Sequence, residues 1–125
     1  GMDRIVVEGA GGLFCPLSDT TTVLDMALRL QPAVILVAAN RLGVINHTRL
    51  TLNVLAQHHL NVAAVVLNDV RSASETGSDA SCHSNASQLL HWIPDVPLFR
   101  CGWNQTELSC WSEQGLSLVD VLAQA

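Results

Sequence analysis

The chain has 125 residues, a formal net charge of -5 and a hydrophobic share of 49%, with only 14% charged residues. This length suits one domain, residues 1–125. All of its cationic side chains are scattered arginines, so no basic stripe exists to neutralise the phosphates of a nucleic acid. The apolar runs are too short for a bilayer span and no signal peptide is evident, so we predict a cytoplasmic protein with reduced thiols and no membrane partner.

Three apolar runs in the first half of the chain predict strands that are buried on both faces. They are Ile5–Val7, Ala33–Ala38 and Val62–Leu67. Each is a nearly continuous run of Val, Ile, Leu and Ala without polar alternation, which is typical of a parallel sheet covered by helices.

Helical stripes separate these runs. Val23, Met26, Ala27 and Leu30 recur at helical spacing after a Ser18-Asp19 cap signal. A second stripe extends from Ile45 to Ala56. The alternation predicts an α/β fold with a three-layer, mostly parallel sheet flanked by helices.

The last third begins with a change of composition. Residues 71–87, RSASETGSDASCHSNAS, are rich in small polar side chains and predict a mobile surface loop. Beyond it we predict a short helix at Gln88–Ile93, a strand at Val96–Phe99 and a terminal helix at Leu116–Ala123.

The first candidate site is a carboxylate beside a glycine-rich turn at a predicted strand end. Glu8 there could hold Mg²⁺, while Gly9, Gly11 and Gly12 would let backbone N–H groups approach an anion. The alternative is a tight turn whose glycines adopt positive φ. Cys82-His83 and the Cys101/Cys110 pair could be considered as zinc ligands, but their spacing matches no structural zinc pattern.

Two further candidates follow the next two predicted strands. The turn Leu42–Asn46 within RLGVINHTRLTL begins a helix, so its free N–H groups could bind a carboxylate. The alternative, which these residues alone favour, is that Asn46 only caps the helix. Asn68, followed by Asp69, could read a purine edge through its amide, or could form an ordinary turn.

In chain order, VEGAGGLFCPLSD, VILVAANRLGVINHTRLTL and VVLNDV resemble the dethiobiotin synthetase family over residues 4–71. The resemblance implies a homodimeric, P-loop NTPase-like enzyme that uses ATP, Mg²⁺ and CO₂ to close a ureido ring on 7,8-diaminononanoate. It implies a Mg²⁺ ligand at Glu8, and it places the turn of Gly9, Gly11 and Gly12 beside the reacting groups. It further implies an adenine contact at Asn68. The substrate carboxylate would bind at Leu42, Gly43, Val44 and Asn46 across the dimer interface.

The family's amino-terminal half has no counterpart in these residues. No G-x-x-x-x-G-K-[ST] loop occurs and the chain contains no Lys, so we predict that it is inactive alone and carries no catalytic residue of its own. The other half would come from a longer gene or a separate chain, and uncovered apolar surface would favour self-association. The alternative is a non-catalytic module that dimerises or binds small carboxylates. The carboxy-terminal third also departs from the family, since Val96–Cys101 replaces its usual Gly-x-Ile-Pro-like turn.

Overall fold

The structure is a computed structural model that describes residues 4–72, 74–75, 79–112 and 115–124. The residues group into two compact units, 1–32 and 33–125. The prediction of a single domain stays a prediction.

The first unit contains one helix, α1 (Val23–Leu30). Its N-cap is Thr22, whose hydroxyl accepts from the Asp25 N–H at 3.3 Å, while the Asp25 carboxylate accepts from the Thr22 N–H at 2.7 Å. This reciprocal capping box fixes the first turn. The helix was therefore predicted correctly, but its cap at Ser18-Asp19 was wrong, because a Thr with an acidic residue three positions later satisfies two orphan donors at once.

The predicted strand Ile5–Val7 is wrong. These residues form no strand, and all three side chains are exposed. An extended run becomes a strand only when a neighbouring strand accepts its hydrogen bonds, and none of the described residues pairs with this segment.

The second unit contains a four-stranded sheet in the order β1-β2-β3-β4. Its elements, in chain order, are β1 (Val34–Ala39), α2 (Val44–Gln57), β2 (Val62–Asn68), a 3₁₀ helix (Ala80–His83), α3 (Asn85–Trp92), β3 (Leu98–Cys101), β4 (Leu108–Cys110) and α4 (Leu118–Gln124). The first three strands are parallel and β4 is antiparallel to β3. The prediction of a mostly parallel sheet with flanking helices is confirmed.

Apolar side chains cover both faces of this sheet. On one face, Val65 and Leu67 of β2 pack with Val44 of α2 and Leu89 of α3. On the other face, Ala64, Val66 and Phe99 pack with Val121 of α4. Alternate residues of β2 therefore enter opposite layers, as the side-chain period of a strand requires.

Strand β1, at one edge of the sheet, was predicted to be buried on both faces, and this prediction is wrong. Its residues are only partly buried, and the Val37 side chain is 63% exposed. Among the described residues β1 hydrogen-bonds to β2 alone, so its second edge carries no strand.

The predicted loop at 71–87 is helical over part of its length. The 3₁₀ helix and the first residues of α3 lie within it, and mobility of the remainder stays a prediction. Strand β4 was not predicted, because three residues give too short a pattern to recognise. Among the described residues, no helix is both long and apolar enough to cross a membrane.

Candidate functional site

The carboxyl ends of β1 and β2 bring two predicted site segments to one edge of the sheet. Asn68 ends β2 and pairs with Ala39 of β1 and Cys101 of β3. Its carbonyl accepts from the Asn40 N–H at 2.7 Å, and the turn that begins α2 follows Asn40 directly. The half-buried Asn68 amide side chain has no hydrogen-bond partner in the described part of the chain, and its assignment to a nucleotide stays a prediction.

A buried Asn pair organises this edge. Asn40 and Asn85 are each 3% exposed. The Asn40 Nδ2 donates to Asp69 Oδ1 at 2.6 Å and to the Cys82 carbonyl at 3.2 Å, while its Oδ1 accepts from Asn85 Nδ2 at 2.9 Å. Every polar atom of the Asn40 side chain is therefore paired, as a buried amide requires.

The network extends to β3 through Asp69. Arg100 donates its Nε and Nη2 to Asp69 Oδ2 at 3.0 and 2.9 Å, and its guanidinium lies 5.6 Å from the centre of the Trp111 ring. Asp69 thus joins the ends of three neighbouring strands. Its Asn-Asp position was noted in the sequence, whereas its partners lie 29 and 31 residues away and gave no local signal.

The turn before α2 depends on Gly43. This residue has φ +92°, in the left-handed region that favours glycine, and it is the N-cap of the helix without any side-chain cap. Asn46 lies inside the first turn of the helix, so the alternative in which Asn46 caps the helix is wrong. The backbone conformation of Gly43 starts the helix instead.

Several N–H groups of this turn are unpaired. Among the described residues, those of Gly43, Ile45 and Asn46 have no hydrogen-bond acceptor, whereas Val44 donates to the Arg41 carbonyl at 3.1 Å. Leu42 and Asn46 are exposed and the Val44 side chain is buried. Free N–H groups at the positive end of a 14-residue helix favour an anion. The assignment of Leu42, Gly43, Val44 and Asn46 to a carboxylate stays a prediction.

Asp79 contacts the same turn from the segment before α3. Its Oδ2 accepts from the Leu42 N–H at 2.8 Å, and its Oδ1 accepts from the Ser81 hydroxyl at 2.5 Å and the Ser81 N–H at 3.1 Å. These donors, the Ser81 hydroxyl foremost, lower the pKa of Asp79. Burial, followed by the Asp79 charge, raises the pKa of the neighbouring Cys82 thiol.

A cavity of about 200 Å³ lies beside Asp79. Its lining residues are Asn40, Arg41, Leu42, Val70, Arg71, Asp79 and Cys82. Asp79 and Asn85 were missed in the sequence. The Asp-x-Ser spacing of a helix cap could have located Asp79, but nothing local points from Asn85 to Asn40.

The glycine turn belongs to the first unit. Gly11 and Gly12 have φ +89° and +109°, and a Cβ on Gly11 would lie 2.9 Å from Cys15 Sγ. A Cβ on Gly9 would lie 3.0 Å from Val23 Cγ1. These values support the tight-turn interpretation of Gly11 and Gly12, which does not conflict with a ligand nearby.

Glu8 is exposed, and its proposed role as a metal ligand stays untested. Within the described residues, no three His, Cys, Asp or Glu side chains cluster into a metal site. Cys82, which belongs to the Cys82-His83 pair considered for zinc, is buried. Its thiol donates to the Asn40 carbonyl, with 3.3 Å between Sγ and the oxygen.

Comparison with known proteins identifies the family of this chain. The family model described as AAA domain matches residues 2–100. The chain belongs to this AAA domain family. Its α/β sheet with flanking helices is consistent with a P-loop NTPase-like fold.

Similar curated proteins carry a more specific name. The chain is 48% identical over 67 residues to the ATP-dependent dethiobiotin synthetase BioD of Francisella tularensis subsp. novicida, a match covering 54% of this chain and 30% of that relative. It is 41% identical over 103 residues to the protein of the same name from Anaeromyxobacter dehalogenans strain 2CP-1, covering 74% of this chain and 44% of that relative. This AAA domain protein is thus dethiobiotin synthetase-like, and it spans less than half the length of these relatives.

Proposed function

We propose that the chain supplies the substrate-carboxylate turn and the adenine contact of a dethiobiotin synthetase-like ligase. The reaction is the ATP- and Mg²⁺-dependent closure of a ureido ring on 7,8-diaminononanoate with CO₂. The observation that carries the proposal is the single hydrogen bond from the Asn40 N–H to the Asn68 carbonyl, which joins the two predicted binding segments at one sheet edge.

The turn suits a substrate carboxylate. Within the described residues it offers the unpaired N–H groups of Gly43, Ile45 and Asn46 at the positive end of α2, and the N-cap residue Gly43 provides no side-chain cap. Such a helix end stabilises an exposed anion by roughly 0.3–1 kcal/mol. The exposed Leu42 side chain supplies apolar surface beside it for an aliphatic substrate chain.

Asn68 suits adenine. Its side chain has both a donor and an acceptor, as the edge of a purine requires, and neither is used within the described residues. Its position at the end of β2 is also where open parallel sheets bind ligands.

Glu8 could bind Mg²⁺ only as one ligand among several that come from elsewhere. A single carboxylate without clustered partners among the described residues cannot enclose the ion, so waters and nucleotide phosphates would have to supply the other ligands. Mg²⁺ is commonly bound in this way, through one or two carboxylates plus phosphates. When bound, ATP and Mg²⁺ would supply the phosphoryl chemistry, while this chain orients the substrate and the base.

Phosphate positioning must come from groups outside these 125 residues, since none is a Lys and no phosphate-loop motif occurs. We therefore propose that the active form contains a second segment with that loop, and that the protein acts in the cytoplasm. We also propose self-association. The unpaired second edge of β1 and the exposed Val37 within the described structure support it.

Reconstitution tests the function. The chain is mixed with the separately expressed part of the Francisella relative that the match does not cover, and dethiobiotin is measured by mass spectrometry with ATP, Mg²⁺, bicarbonate and 7,8-diaminononanoate. Product is expected from the wild-type chain and strongly reduced product from Asn68→Ala, while Asn53→Ala, on an exposed position of α2, should match wild type. If no product forms although the chain binds nonanoate at Gly43–Asn46, the non-catalytic carboxylate-binding module is the better description.

A further inference from the structure

The two carboxylate oxygens of Asp79 make different contacts. Oδ1 accepts from the N–H and hydroxyl of Ser81, which is ordinary capping of the 3₁₀ helix. Oδ2 accepts from the Leu42 N–H, 37 residues away in sequence. Local capping explains the first contact and leaves the second unexplained.

Two other aspartates show what capping alone looks like. Asp25 accepts from Thr22, and Asp120 accepts from Ser117, in each case through one oxygen and from a residue three positions earlier. Neither makes a long-range hydrogen bond within the described residues. The contact of Asp79 with the turn before α2 is therefore a separate feature of this chain.

We infer that Asp79 is an internal carboxylate that competes with the ligand for the turn Leu42–Asn46, an inference that rests on the proposed function. Asp79 already accepts the hydrogen bond of the Leu42 N–H, and it adds a fixed negative charge next to the unpaired N–H of Gly43. Both effects lower the affinity of the turn for an external carboxylate. Arg41 and Arg71 line the same cavity.

The test is an NMR titration at pH 7 with acetate and with nonanoate, following backbone amide shifts. It compares the wild-type chain with Asp79→Asn and Asp120→Asn. Asn in place of Asp79 keeps an oxygen that can accept from Leu42 but removes the charge. Asp120→Asn removes an equal charge from a capping aspartate on α4. We expect Asp79→Asn to bind nonanoate roughly two- to fivefold more tightly than wild type, with shifts at Gly43, Ile45 and Asn46, and Asp120→Asn to be unchanged.

The outcomes separate this inference from the proposed function. If nonanoate binds the turn equally in wild type and Asp79→Asn, the competition is disproved and the substrate site stands. If Asp79→Asn tightens the binding of both acetate and nonanoate, and the two ligands bind the turn with equal affinity, the competition stands and the proposed substrate is wrong. Absence of binding at the turn in every variant overturns both.

Discussion

The Asn40 side-chain amide donates to the Asp69 carboxylate over 2.6 Å and so joins the residues that follow β1 and β2. Asn40 is 3% exposed and its other amide hydrogen also has an acceptor, the Cys82 carbonyl. This amide therefore fixes the start of the turn that leads to α2, which makes it the first target for substitution.

Asn40→Asp should destabilise the fold. The change replaces a buried donor with a second carboxylate facing Asp69 and a carbonyl, so we expect the free energy of unfolding to fall by about 2–4 kcal/mol. Urea denaturation measures it. Asn53→Asp makes the same chemical change at an exposed position of α2 and is the control. A difference between the two variants below about 0.5 kcal/mol would show that the Asn40 network contributes little.

Local patterns predicted most of this fold because the signals were local. The strands near Ala33–Ala38 and Val62–Leu67 and the helix spanning Ile45–Ala56 all form, with no boundary shifted by more than one residue. The strand predicted at Ile5–Val7 was wrong because its formation depends on a non-local partner. Apolar and β-branched side chains make a strand favourable only once a partner strand is present, and composition cannot show whether one is.

The site was predictable only in part for a similar reason. The turn at Gly43 could be recognised because glycine before a helix has a local meaning. Asp79, Asn85 and Arg100 act through partners 31 to 45 residues away, and such pairings follow from the sheet order and not from spacing. Resemblance to a family identified candidate ligand contacts but not this supporting network.

Stability should fall in acid through capping carboxylates. Hydrogen bonds from Thr22 lower the pKa of Asp25, and those from Ser117 lower the pKa of Asp120. Because these folded pKa values lie below the unfolded value of about 3.9, the stabilisation is complete above that pH and is lost as pH falls through the lower folded values. Urea unfolding from pH 7 to 2 should show the free energy of unfolding decreasing as the pH falls. In the double variant Thr22→Ala/Ser117→Ala this decrease should be smaller. An equal dependence of the free energy of unfolding on pH in wild type and double variant would contradict the assignment of the acid loss to Asp25 and Asp120.

The purified chain should not hydrolyse ATP or form dethiobiotin by itself. Phosphoryl transfer depends on positioning and charge neutralisation, and these 125 residues include no Lys and no phosphate-loop motif. Phosphate release and mass spectrometry with ATP, Mg²⁺, bicarbonate and the diamine should remain at background. Turnover by the isolated chain, retained through a second purification step, would refute the expectation.

Self-association should depend on β1. Its outer edge is unpaired within the described structure, and its exposed Val37 is not accompanied by any charged residue in the strand. Such an edge commonly pairs with another chain. Sedimentation at micromolar concentration should show dimers or larger species, and Val37→Lys should shift them towards monomer. Val119→Lys, at an exposed valine on α4, should not. A clean wild-type monomer would rule this out.

Gly43 has a φ of +92°, which only glycine adopts readily. A Cβ placed there would be 3.6 Å from the His47 Cε1, an ordinary contact, so the cost of substitution comes from the backbone and not from crowding. Gly43→Val should lower the free energy of unfolding by about 1–3 kcal/mol and abolish the nonanoate shifts at Ile45 and Asn46. Gly43→Asn should do less on both measures, because Asn tolerates left-handed conformations better. Urea denaturation and the amide titration are run on the same samples. If Gly43→Val binds nonanoate as wild type does while folding normally, the turn conformation is not what holds the carboxylate.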